Sequence, residues 1–283
     1  EFRRVLFRSV IVFSVDSSLS FFLAVDLFIS LSEYQNNESL NTVFKANVII
    51  DLDTSKAKTY ADAVSIKQKA GLTNELINLC FGDLYLGDQK YNQSTVVAAL
   101  KQLIAANNDG IPNQNPSNKA YFTNGFKLNG IDLFLDSKQA EYLNKNGIIV
   151  ARKLSSGWRC WGNRTACFPA DTDVKNYDIA VRDMFNFLMN TCVLNTEQMV
   201  DGQIDRALVL RIQTTIQGWL DGLKGTGKII SGSISFTQEK NPLSELLMGN
   251  VYFQLQFTTA TTASSITTEI TFNANDLKLI FNE

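Results

Sequence analysis

Residues 157–169 read GWRCWGNRTACFP, and the chain continues from there as ADTDVKNYDIAVRDMFNFLMN to residue 190. Two tryptophans and two cysteines crowd one turn-rich stretch with Arg159 and Arg164. Three uses fit these residue types. Cys160 beside Arg159 can be an activated thiol. Trp158 and Trp161 can form an aromatic ligand platform. The third use is structural: a strand passing into a Gly162-Asn163 turn, with packed Trp rings and Arg164 hydrogen-bonded to nearby carbonyls or carboxylates. Residue chemistry alone favours the third.

Working outward from this stretch, the periodicity changes character. Downstream, Val181, Met184, Phe185, Leu188 and Cys192 recur on one helical face. Ile204, Leu208, Ile212, Ile216, Trp219, Leu220 and Leu223 mark a longer helix. Ile229–Thr237 and Val251–Thr258 read as strands. In the second, Val251, Phe253, Leu255 and Phe257 alternate with polar neighbours. TATTASS (259–265) reads as a flexible link. Ile266, Ile270 and Phe272 suggest one more strand, then a tail ending LKLIFNE. Such a tail suits pairing with a sheet edge, its own or a neighbour's.

Upstream, apolar runs alternate with helical patterns. Strands are expected at Val10–Val15, Asn47–Asp53, Leu76–Phe81 and Ile148–Ala151, with two short ones around Phe126 and Leu133. Helices are expected at Leu19–Glu33, Thr59–Lys69, Ser94–Asn107 and Ser137–Asn146, with Gly71 and Gly147 as stops. Residues 112–118 form a loop by composition. The fold class is therefore α/β, a mostly parallel sheet with flanking helices, followed by an α+β C-terminal part.

Composition bounds the chemistry. The chain has 283 residues, 26 basic and 28 acidic groups, and a formal net charge of -2, which gives no general drive toward nucleic acid or anionic membranes. It contains no histidine, which excludes His-dependent nucleophile systems, His general bases and His-ligated zinc. Cys80, Cys160, Cys167 and Cys192 lack metal-site spacing and read as reduced, mostly buried thiols. EFRRVLFRS followed by an apolar run resembles a signal peptide or membrane span. Asp16 and Asp26 interrupt the run, and no A-x-A site follows. The first methionine is Met184, so a fragment is expected. Residues 1–9 resemble a translated sequencing adapter and are set aside.

Two motifs resemble catalytic ones. Gly222–Lys228 matches G-x-x-x-x-G-K, but Ile229 replaces the magnesium-binding Ser or Thr. The order is also helix-to-strand, the reverse of a phosphate cradle. VIIDLDTS (48–55) resembles the strand-end motif of haloacid-dehalogenase-type phosphatases. On that reading Asp51 would attack a phosphoryl group, Asp53 would act as acid/base, and magnesium would bridge them. The rest of that family's motif order has no place here, and acidic residues at a strand end are ordinary helix-capping chemistry.

Taken together, the order of motifs resembles contractile phage tail sheath proteins. Trp158, Trp161, Gly162, Asn163, Arg164, Thr165, Pro169, Arg182, Met184 and Phe185 match that family's strand–turn–helix pattern, while Asp183 replaces the second arginine of the helix. Asp205-Arg206, Gly218–Leu223, Gly232, Glu239–Pro242 and Leu247–Gly249 continue the likeness. Upstream, so do Phe44–Ala46, Asp51–Thr54, Tyr60, Leu86–Asp88 and Ser117-Asn118. It covers nearly all of 10–283. The resemblance implies an α/β core domain over 10–153, a C-terminal assembly domain over 154–265 and a C-terminal arm over 266–283. It implies a structural subunit and not an enzyme, without cofactors, catalytic residues or bound metal. Stacked hexameric rings would surround a tail tube and contract to drive it through the host envelope. Partners would be other copies, the tube, baseplate and tail terminator proteins, with no direct nucleic-acid contact and no membrane insertion. The location would be the virion tail, assembled in the host bacterial cytoplasm. Strand exchange would use Ile266, Ile270, Phe272, Leu277, Leu279 and Phe281. Lys224 and Lys228 are tube-facing candidates; Trp158, Trp161, Arg164 and Arg182 are structural.

Overall fold

The computed structural model describes residues 10–13, 45–274 and 280. Strand β1 (Val10–Phe13) is followed by β2 (Asn47–Asp51), helix α1 (Asp62–Lys69) and β3 (Ile77–Cys80). Next come the hairpin β4 (Asp83–Leu86) and β5 (Gln89–Asn92), then α2 (Gln93–Ala106), β6 (Gly125–Leu128) and β7 (Ile131–Asp132). Helix α3 (Ser137–Asn144) leads into a second hairpin, β8 (Ile148–Leu154) and β9 (Gly157–Trp161). The remainder is α4 (Val174–Tyr177), α5 (Ile179–Glu197), α6 (Arg206–Gly225), β10 (Ser231–Ser235), α7 (Leu243–Leu247) and β11 (Gln254–Thr258).

The main sheet runs β1-β2-β3-β8-β9. Its first four strands are parallel and β9 returns antiparallel. Helices cover the sheet, so strands in its middle are buried without alternation. Val48, Ile49 and Ile50 are all buried, as are all four residues of β3. Helix α2 lays Val97 and Ala98 onto this core, with Leu100 partly buried beside them. A smaller antiparallel sheet, β5-β4-β6-β7, adds Leu84, Phe126 and Leu128. Gly147 stops α3 at φ +67, where a Cβ would sit 2.2 Å from the Thr165 carbonyl oxygen. Only glycine lets the Thr165 turn lie against the start of β8.

A second core is built from α5, α6 and the β10–β11 sheet. Met184 and Leu188 meet Ile212, Ile216, Leu220, Leu223 and Ile229. Phe253, Leu255 and Phe257 pack on it, as their alternation predicts. The expected boundary after residue 153 falls inside the β8–β9 hairpin, where Val150 pairs with Trp161 and Leu154 with Gly157. The first core reaches on to Ala166 and Ile179, and the second begins at Met184. Helix α5 thus passes from one core into the other, because its buried face is continuous.

Other differences have local causes. Strand β8 extends past Ala151 because β9 pairs with it. The strands expected at 229–237 and 251–258 shorten to β10 and β11, flanking a turn held by Asn241. Its Nδ2 donates to the Tyr252 oxygen at 2.9 Å, and its Oδ1 accepts from Tyr252 N at 2.7 Å. The strand expected near Ile266 is not formed. Residues 259–273 carry no regular secondary structure, and Ile266, Ile270 and Phe272 are 86%, 90% and 82% exposed. A strand exists only where an edge satisfies its backbone. The helix expected at Leu19–Glu33, and Leu277, Leu279 and Phe281, lie outside the described residues.

Candidate assembly interface

The stretch 157–169 sits at the junction of the two cores. Trp158 is buried, with its ring edge-on to Phe126 at 6.0 Å and stacked on Phe134 at 5.7 Å. Trp161 is partly buried under the Arg152 guanidinium, 4.6 Å from the ring centroid. Loop 116–121 zips onto the outer edge of β9: Asn118 N donates to Cys160 O at 2.7 Å and Tyr121 N to Trp158 O at 2.9 Å. Gly162, at φ +139, brings the backbone so near β8 that a Cβ would lie 2.9 Å from Ile149 Cα. Beyond it, Asn163 N donates to Asn144 Oδ1, and Asn163 O accepts from Ile179 N.

These contacts decide the thiol and platform readings. Cys160 is fully buried, and desolvation pushes its thiol up to about 12, so it stays protonated and unreactive. Arg159 turns away to Ser156 Oγ and the Asn118 carbonyl. All four cysteines are free thiols. The Trp rings are occupied by protein partners. Arg164 differs from expectation in detail. Its guanidinium lies 4.3 Å above the Phe168 ring, and its Nε and Nη1 have no hydrogen-bond partner among the described residues. It tethers the turn by stacking, with its backbone bridged to Asp178. Asp178 caps α5 by accepting from Ala180 N and Val181 N. Arg182 donates to Asn186 Oδ1 at 3.0 Å and to Asn176 Oδ1 at 3.4 Å.

The acidic strand end is likewise occupied. Asp51 Oδ1 accepts from Ser94 N at 2.8 Å and Oδ2 from the Ser94 hydroxyl, which holds the first turn of α2. Burial pushes Asp51 up to about 6, against the pull of those bonds. Asp53 turns outward and accepts from Ser55 N at 2.9 Å. No group of three or more His, Cys, Asp and Glu side chains able to hold a metal ion occurs among the described residues. The Gly-rich segment 222–228 closes α6 and leads toward β10, the helix-to-strand order its sequence implies. Lys228 is folded inward, bonded to Asn108 Oδ1 and 3.6 Å from Asp109. Lys224 is exposed. No helix among the described residues is long and apolar enough to cross a membrane.

Several large apolar side chains also face outward. After β11 the chain leaves the second core with Ile266, Ile270 and Phe272 in solvent. Among the described residues the β10–β11 ribbon has two strands, and Leu243, Leu247 and Met248 between them are 71%, 79% and 65% exposed. Sequence reasoning missed α7 and its exposed residues; the run LSELLM after Pro242 was the available signal. It also missed the link's anchorage. Asn163 Nδ2 donates to Ser264 Oγ at 3.0 Å, and Asn115 Nδ2 to Thr262 Oγ1 at 3.4 Å.

No family model matches the chain. In sequence it is similar to the tail sheath protein of Burkholderia phage BcepMu, with 30% identity over 146 residues, covering 50% of this chain and 30% of that one. The match spans about a third of the length of the curated relatives. In structure it is similar to the PVC sheath complex of an extracellular contractile injection system in its contracted state. That superposition has a TM-score of 0.70 at 16% identity and covers 83% of this chain and 66% of the other. The contracted helical sheath of the anti-feeding prophage gives a TM-score of 0.65 at 18% identity, covering 81% and 62%. At such identities the structural likeness speaks to the fold, and the sequence match speaks separately. Both lead to one group: the relatives of this chain are contractile tail sheath proteins.

Proposed function

We propose that this chain is a structural subunit of a contractile tail sheath. It polymerises as stacked hexameric rings around a tail tube and contracts to drive the tube through the host envelope. The observation that carries the reading is the exposed apolar segment after β11. Ile266, Ile270 and Phe272, at 86%, 90% and 82%, are among the most exposed large apolar side chains of the described residues, and they follow one another on a single extended segment. An extended apolar strand of this kind gains its backbone bonds by joining a sheet edge of another copy. The β10–β11 ribbon is the acceptor we favour, since two strands alone leave both outer edges open. The arm comprises 266–283. Lys224 is the stronger tube-facing candidate, because Lys228 is spent on Asn108 and Asp109. Baseplate and tail terminator proteins cap the lattice, which assembles in the host cytoplasm and stores its energy as a metastable packing. No nucleic acid or membrane contact is part of this reading, and neither is catalysis. Asp51, the phosphatase candidate, is committed to Ser94.

The test is electron microscopy of the full-length gene product over a concentration series. Rings or tubes are expected, and a monomer at every concentration would refute the reading. Deleting 266–283 should abolish assembly without changing thermal unfolding; a truncated chain that still polymerises would refute strand exchange by the arm. Magnesium-dependent phosphomonoesterase activity lost in Asp51→Asn would replace the whole reading.

A further inference from the structure

We propose that Asn115 and Asn163 are positioning residues for the arm, fixing the point from which it leaves the molecule. The inference rests on the sheath reading above. Strand β11 ends at Thr258, on the second core. The chain then crosses back to the first. Thr259 is buried at the root of the crossing. Thr262 and Ser264 follow, held by Asn115 and Asn163 at 3.4 and 3.0 Å. Asn115 Nδ2 also reaches the Asn163 carbonyl at 3.5 Å, which joins the two asparagines into one clasp. Asn163 is itself 4% exposed, fixed in the turn after β9 by backbone bonds on both sides. Residues 265–274 are all exposed. The hydroxyls of TATTASS, which make that link polar and flexible by composition, are thus the groups by which it is held.

The clasp has a calculable consequence. Released at Thr258 and not at Ser264, the arm would swing on six more residues and its reach to Phe272 would grow by roughly 5 Å. Effective concentration at a distant edge falls as about the −3/2 power of tether length. Counting free residues to Phe272, the change from eight to fourteen lowers it by roughly twofold per contact. The clasp therefore promotes assembly by aiming the arm, and it persists in the assembled state. Each hydrogen bond is worth roughly two- to tenfold in an equilibrium, so the clasp holds without being rigid.

The test compares Ser264→Val and Thr262→Val, singly and together, with Ser264→Thr in the full-length chain. Valine and threonine have the same shape, so only the hydroxyl distinguishes them. Both positions lie on an irregular surface segment, so the fold is not at risk. Amide hydrogen exchange of residues 260–265 is measured on the unassembled chain, and the critical concentration for assembly is measured by light scattering. The double valine variant should exchange several-fold faster and raise the critical concentration about twofold or more, while Ser264→Thr behaves as the parent. Unchanged exchange would overturn the clasp. Faster exchange with an unchanged or lowered critical concentration would overturn its positioning role, the lowered case marking a restraint that must open. Failure of the parent chain to assemble would instead defeat the sheath reading, with exchange still reporting the clasp.

Discussion

The most demanding prediction concerns Asp183, the residue that departs from the sheath pattern. Its carboxylate is buried and meets Lys101 of α2 at 2.9 Å, with side-chain exposures of 6% and 9%. Asn47 of β2 donates to the same carboxylate, and Asn186 donates to Asn47 Oδ1 at 2.8 Å. One turn further along α5, Asn190 Nδ2 donates to the Lys45 carbonyl at 2.9 Å, and its Oδ1 accepts from Lys45 N at 2.8 Å. Residues 183, 186 and 190 share a helix face, so α5 is bolted to β2 and α2 by a polar seam. Removing one member strands the other in a dry site, at about 3–5 kcal/mol. At about 2–4 °C per kcal/mol, Lys101→Met should lower the melting temperature by roughly 6–20 °C. Asp183→Leu should cost a similar amount by stranding the ammonium. Lys101→Met with Asp183→Leu should recover most of the loss, because an apolar pair has no charge to desolvate. The assay is thermal and urea unfolding of the four chains, read as a double-mutant cycle. Burial already holds the Asp183 carboxyl above its ordinary range. Without Lys101 it can take a proton, so the Lys101→Met penalty should grow as pH rises from 5 to 8. Single-variant losses below about 1 kcal/mol, or losses that simply add in the double variant, would refute the argument.

Three further outcomes follow from the geometry. Asp51 is raised from 3.8 to about 6, so the folded state binds a proton between those values that the unfolded state releases. The associated stability is present below pH 4 and lost as pH rises through 6, by at most about 3 kcal/mol. Asp51→Asn should flatten that slope in urea titrations, and an unaltered slope would exclude Asp51 as its source. Gly147→Ala should cost about 3 kcal/mol or more, a left-handed penalty plus the clash with Thr165. Gly71→Ala, at φ +64 with nothing within 4 Å, should cost only about 1–2 kcal/mol; equal losses would show that the Thr165 contact is not tight. Lys228→Glu should destabilise the chain by up to about 1 kcal/mol through Asp109, while Lys224→Glu leaves unfolding unchanged within about 0.5 kcal/mol. Co-sedimentation with a tube protein then tests Lys224 alone, and unimpaired binding would remove it from the interface.

Much of the fold is legible because burial on both faces writes itself as uninterrupted apolar runs. Asn47–Asp51 and Ile77–Cys80 needed no more than that. Helix stops were legible where glycine adopts positive φ, as at Gly71 and Gly147. The hairpin β4–β5 was not. Gln89–Asn92 is polar and exposed, so its pairing comes from the turn at Gly87 and not from any pattern of burial. The boundary after residue 153, which the resemblance implies, meets no break in the packing: β8 and β9 pair across it, and α5 carries one continuous buried face through two cores.

The site was legible in its residue types and illegible in its pairings. Asp51 and Asp53 resemble a catalytic pair until Ser94, 43 positions away, is seen to occupy both oxygens of Asp51. Arg164 was expected to find carbonyls and instead found a ring four residues on. Asp183 finds Lys101 at a separation of 82, and Asn163 finds Ser264 at 101. No local window contains such distances. A family pattern narrows the search because it fixes which positions are shared, but it is silent where this chain differs. Asp183 is that place: the charge at the second position of the helix motif is reversed relative to the pattern. A buried carboxylate without a counter-charge would be costly. Lys101 supplies the counter-charge from a helix far away in the chain, so the departure is compensated within the fold and leaves no surface charge for a partner to read. The charge reversal at Asp183 is therefore answered inside the fold, by Lys101 and Asn47.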